Sequence, residues 1–121
     1  MADLLVNTGL NFITDLIDGT EANPTWYIGW GTGAGTTAPG DTTLFTEASE
    51  TRVVAAMSQP TAPVNQFLGT LTADGSKTIT NCGTFDAVTN GTLFTKSDFT
   101  GIPLALGDKI QFTFQLTHTA V

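Results

Sequence analysis

Hydrophobic residues follow two different periods along this chain. Near the C-terminal end, Ile110, Phe112, Phe114 and Leu116 alternate with Lys109, Gln111, Thr113, Gln115 and Thr117. Period two over that length predicts a strand with one buried and one wet face. Gly107-Asp108 supplies the turn into it. Near the start, Val6, Leu10, Ile13 and Ile17 fall three to four apart, and Phe12 and Leu16 widen the stripe. That spacing predicts an amphipathic helix of about two to three turns. Asn7 or Thr8 is placed to cap its start, and Gly19 to end it. Gly9 and the acidic residues Asp15 and Asp18, which face the negative end of the helix dipole, weaken its intrinsic stability. The helix therefore needs a surface to pack on, either its own sheet or a neighbouring subunit.

Between these segments the pattern is that of strands and turns. "TWYIGW" and "ETRVVAAM" are rich in aromatic and β-branched residues. Pro60 and Pro63 then interrupt the chain. Two strand-like runs flank Asp74-Gly75, and "TFDAV" and "TLFTKS" flank Asn90-Gly91, so both dipeptides predict tight hairpins. Roughly seven to nine short strands with turn signals every ~8–12 residues predict an all-β fold. No strand–helix alternation supports a parallel sheet. The expected architecture is a single antiparallel β-sandwich (25–121) behind a short N-terminal helical arm (1–24).

Composition narrows the function classes. Charged residues make up 12% of the 121, about half the usual share, and Thr about a fifth. A net charge of −7, with Arg52, Lys77, Lys96 and Lys109 scattered, disfavours nucleic acid and anionic membranes as partners. Cys82 is the single cysteine, so no intrachain disulfide is expected and synthesis in the cytosol is favoured. "MADLLVNTGLNFITDLIDG" has no basic leader and no long apolar run, so it reads as neither signal peptide nor membrane span.

The segment "GWGTGAG" places glycine at every second position from Gly29 to Gly35. Gly29, Gly31 and Ala34 match the start of a dinucleotide fingerprint, but Pro39 and Gly40 stand where the required helix would run. No Lys-Ser or Lys-Thr follows, so a P-loop fails as well. The glycines therefore predict a turn or loop after a strand. Other catalytic patterns are also missing. His118 is the lone histidine, no nucleophile elbow occurs, and Asp41, Glu47, Glu50, Asp74, Asp86, Asp98 and Asp108 lie mostly in turn-like contexts. No catalytic residue, cofactor or metal ligand is assigned, and no enzyme activity is expected. Candidate partner contacts are Leu10, Ile13 and Ile17 on the helix, together with Trp26 and Trp30. The two tryptophans, with Tyr27, would stack on sugar rings if exposed, or anchor the core if buried.

Three stretches, "YIGWGTGAGTTAPGDTTLFTEASETRV", "LGTLTADGSKTITNCGTFDA" and "GTLFTKSDFTGIPLALGDKIQFTFQLT", together resemble small virion structural proteins of tailed bacteriophages. That group includes head decoration (cement) proteins and tail- or fibre-associated proteins. The resemblance spans most of residues 26–117 and rests on texture and word order, with no functional residue to carry over. It implies a sandwich that is often jelly-roll-like, self-association as a dimer or trimer, and binding to the major capsid protein or another virion protein. It also implies assembly into the particle in the host cytoplasm.

Overall fold

The computed structural model describes residues 2–120 and contains eight strands and one helix among them. In chain order these are β1 (Ala2–Leu5), α1 (Asn7–Asp18), β2 (Tyr27–Gly31), β3 (Val53–Val54), β4 (Ala56–Ser58), β5 (Val64–Thr72), β6 (Lys77–Phe85), β7 (Leu93–Leu104) and β8 (Lys109–Thr117). The chain is mostly β, as expected. It forms two antiparallel sheets, one ordered β1-β7-β6-β2-β3 and the other β4-β5-β8.

The alternation in β2 explains how the layers meet. Ile28 and Trp30 point to one side, into a core shared with Phe67 and Leu71 of β5 and Ile79 and Cys82 of β6. Ring contacts bridge the sheets: Trp30 meets Phe112 at 6.2 Å and Trp26 meets Phe67 at 5.6 Å, both edge to face. Such pairs contribute roughly 0.5–1.5 kcal/mol each beyond the area they bury. The bulge in β7 feeds this core too. Thr84 pairs with Thr95 and Phe85 with Leu93, so Phe94 is the extra residue and turns inward.

The opposite face of β2 is glycine. Gly29 and Gly31 leave room for the segment 41–48, whose Phe45 backbone and Glu47 side chain lie against this face before Glu47 pairs antiparallel with Gly31 along the strand's edge. A methyl group on Gly31 would lie 2.5 Å from the Phe45 carbonyl oxygen. The glycine run is thus a flat packing face, and the segment after it is held by backbone bonds from Thr32 to Thr46 and from Gly33 to Phe45. A second apolar cluster of Val6, Leu44, Phe85 and Leu93 forms at this segment.

β6 and β7 are neighbours joined through Asn90-Gly91, which have the positive φ that this pair favours, 54° and 71°. The connection is a wider loop than the tight hairpin expected: the ladder stops at Phe85–Leu93, and Asp86 closes the loop by accepting from the Thr92 amide. Asp74-Gly75 makes no hairpin. β5 pairs with β4 and β8, while β6 pairs with β2 and β7, so this turn carries the chain from one sheet to the other. Gly75 lacks positive φ, and Asp74 is instead tied to Ser49 and Lys77.

The N-terminal segment also differs from a separate arm. Ala2–Leu5 pairs antiparallel with β7 as an edge strand, which its short run did not signal. Val6 is fully buried and Phe12 packs on Trp26 and Phe94. Gly9 lets the helix touch β7, because a methyl group there would collide with the Phe94 carbonyl oxygen. Neither Asn7 nor Thr8 caps α1. The cap position is Val6, the Asn7 amide donates to Pro39, and the Thr8 hydroxyl donates to the Leu93 carbonyl at 2.6 Å. Gly19 does end the helix, at φ 83°.

Residues 2–19 are therefore part of the folded body. Deleting them is expected to abolish the cooperative unfolding transition measured by circular dichroism, and a truncated chain that still melts cooperatively would refute this. The milder change Gly9→Ala is expected to cost about 1–3 kcal/mol in urea denaturation, through forced displacement of α1 from β7.

Candidate functional site

The core claims both tryptophans. Trp26 is 5% and Trp30 1% exposed, so the expectation that they contact a partner or stack on sugars is corrected by their burial. The indole of Trp26 bonds to Asn23 at 3.1 Å, and that of Trp30 to Glu50 at 2.9 Å. Of the helix residues, Leu10 is 50% and Ile17 83% exposed, while Ile13 is half-buried against the core. Ile13, Ile17 and Trp26 come together in a groove of about 410 Å³ between α1 and Met57, Asn65 and His118. Leu10 and Trp30 lie outside it.

Several charged side chains are consumed in pinning loops to the sheets. The Glu50 carboxylate accepts from the Trp30 indole, from the Asp74 amide at 2.9 Å, and from the Lys77 ammonium. Lys77 also bonds Asp74 at 2.8 Å. Burial works against the Glu50 charge, but the bonds from Lys77, Asp74 and Trp30 outweigh it and hold its carboxyl below the ordinary value. Lys77 is pushed up in turn, because its two carboxylate partners outweigh its own burial. On the glycine side, Lys96 is 1% exposed and reaches Asp41 and the Thr43 carbonyl, both at 2.9 Å, across the Phe45 ring. Asn81 brackets the same Phe45 through its amide and carbonyl, at 3.0 Å each. Arg52 forks onto Glu47 and donates to Ala87 and Asn90 while stacked on Phe85. These groups serve the fold.

The larger opening is a groove of about 620 Å³ between β8 and the pair β1–β7. Leu5, Phe99, Phe112, Phe114 and Leu116 give it an apolar wall, and Asp3 with Ser97 gives it a polar one. Cys82 lines it but is buried. Burial first, and the Asp3 charge second, push its thiol far above the ordinary value, so it holds its proton and is a poor nucleophile. Among the described residues no cluster of three or more His, Cys, Asp or Glu is placed to hold a metal. His118 bonds Asn65 at 2.9 Å on the surface. The apolar wall of the groove suits contact with apolar side chains. Sequence patterning exposed the apolar row of β8 but not the groove, which depends on β1 lying beside β7. Comparison with known proteins finds no matching family model, no similar curated protein and no similar solved structure.

The Glu50 cluster sets a pH dependence. Glu50, Asp74, Asp41 and Asp98 all have depressed carboxyl values. Their contribution is complete above the ordinary value, 4.5 for Glu50, and is lost as pH falls through the lower folded values. Lys77 is raised, so its contribution holds below 10.5 and is lost as pH rises above that. Melting temperature is expected to fall on the acid side below about pH 4.5. Glu50→Gln is expected to flatten that limb and cost about 3 kcal/mol at neutral pH, by leaving Lys77 and the Trp30 indole short of an acceptor. An unchanged acid limb in the variant would remove Glu50 as the hub.

Proposed function

We propose that this chain is a non-enzymatic structural protein of a bacteriophage virion, a capsid decoration protein that self-associates and binds the major capsid protein to stabilise the shell. The two antiparallel sheets are then the halves of one β-sandwich, closed at one end by α1. The observation that carries the non-enzymatic part is the use of the buried polar groups. Glu50, Lys96 and Arg52 each close on loop or strand partners, and the larger groove is apolar around an inert thiol. The resemblance of residues 26–117 to small virion proteins supports the placement in a particle. Few charges and many Thr residues suit broad polar contacts, and binding only the assembled shell stabilises that shell by mass action. A tail- or fibre-associated position is the second reading, supported by the same resemblance. Sugar stacking on Trp26 and Trp30 has no support, since both are buried.

Quantitative mass spectrometry of purified virions of the source phage tests the proposal. A copy number in simple ratio to the major capsid protein is expected. A small fraction of that ratio would move the protein to the tail, and absence from the particle would overturn the virion reading.

A further inference from the structure

Of the free sheet edges, β8 is the longest, nine residues against four for β1, two for β3 and three for β4. It lacks the usual protection of an edge: no proline, no bulge on its pairing with β5, and Lys109 as its single charge. The direction of its free backbone groups follows from the register. The His118 amide donates to Pro63 and the Asp108 carbonyl accepts from Ala73, both on the β5 side. Even-numbered residues therefore bond β5, and Lys109, Gln111, Thr113, Gln115 and Thr117 point their N–H and C=O groups outward. The even side chains Ile110, Phe112, Phe114 and Leu116 face the core side and remain half-buried.

The groove lies directly beside this edge because the sheets are unequal. Five strands face three, so β7 and β1 extend past β8. We propose that the β8 edge and this groove accept an extended segment of a different protein as a fourth strand of the smaller sheet. Its apolar side chains, at alternate positions, face Phe112 and Phe114 in the groove. One Lys or Arg among them reaches Asp3, whose carboxylate accepts from Ser97 and pairs with no basic side chain among the described residues. Charge favours a basic segment. The chain carries −7, and Arg52, Lys77 and Lys96 are already paired internally. A second copy fits poorly through its own β8, because two-fold antiparallel pairing sets both overhanging β7–β1 pairs on the same side, in the same space. This inference rests on the assembly role proposed above and names the surface that performs it.

The test uses the full chain and the peptide Thr-Val-Thr-Arg-Thr-Val-Thr-Val-Thr, with a control of the same composition whose apolar residues are grouped. Amide hydrogen exchange followed by NMR is expected to slow about tenfold or more at Gln111, Thr113 and Gln115 on adding the alternating peptide, with Phe112 and Phe114 unchanged. The control should have no effect, and Asp3→Asn should weaken binding about fivefold. Thr113→Pro removes an outward N–H while keeping the β5 bonds, so it should fold and fail to bind. Equal effects of both peptides, or no protection of the odd amides, would overturn the proposal. Protection of those amides that rises with protein concentration alone would assign the edge to a second copy and overturn the heterologous partner. Because these outcomes are read on isolated protein, they separate from the virion copy number: a silent edge on a particle-borne protein sinks only this surface.

Discussion

Everything in this molecule is arranged around the two unlike faces of β2. Trp30 and Ile28 on one side enter the shared core, and Gly29 and Gly31 on the other admit the close approach of Phe45 and Glu47 from the 41–48 segment. Neither face tolerates the residues of the other. A large side chain at Gly31 would displace Phe45, and with it the ring over Lys96 and the backbone that Asn81 brackets. The Trp30 indole also needs an acceptor where it meets the sheet margin, and Glu50 supplies it from just past the end of that same segment. One strand thereby couples the core to the longest irregular stretch of the chain.

This coupling shows how a chain with 12% charged residues uses them. Few charges are present, but several of them are spent inside. Buried pairs such as Lys96–Asp41 are weak sources of net stability, because desolvation offsets most of the attraction. Their effect is to specify one path for residues 36–50, since any other path strands an ammonium or a carboxylate without partners. The irregular stretch is thereby held to the sheet by side-chain bonds at several points along its length.

Local patterns in the sequence carried those parts of the fold that depend on near neighbours. The period of β8, the Asn90-Gly91 turn and the Gly19 helix end are all written within a few residues. What depends on distant partners was not legible. β1 is a strand because β7 lies beside it, and Asp74-Gly75 is a crossover because Lys77 and Ser49 hold Asp74 there. The helix follows from its spacing, but its covered face is not the stripe of Val6, Leu10, Ile13 and Ile17: Gly9 and Phe12 are buried with Ile13 and Leu16 beside them, Leu10 and Ile17 are exposed, and Val6 precedes the helix. The candidate site was the least legible of all. Its apolar row was visible in β8, but the groove exists only because one sheet is wider than the other, a count of strands that no local pattern contains.

Unequal sheet width is also what leaves the β8 edge and its groove open. Sheets of matched width leave edges that are short or guarded. Here the narrower sheet stops early, and its last strand keeps half-buried phenylalanines together with a row of unpaired backbone groups. The cost of that arrangement is exposure to unwanted strand pairing. At this edge it is restrained by the overhang of β7 and β1, which blocks antiparallel approach of a second copy's β8. A basic, extended segment does not meet that obstacle. The overhang that keeps one β8 from pairing with another thus leaves this edge to a different, extended segment, and self-association to other surfaces.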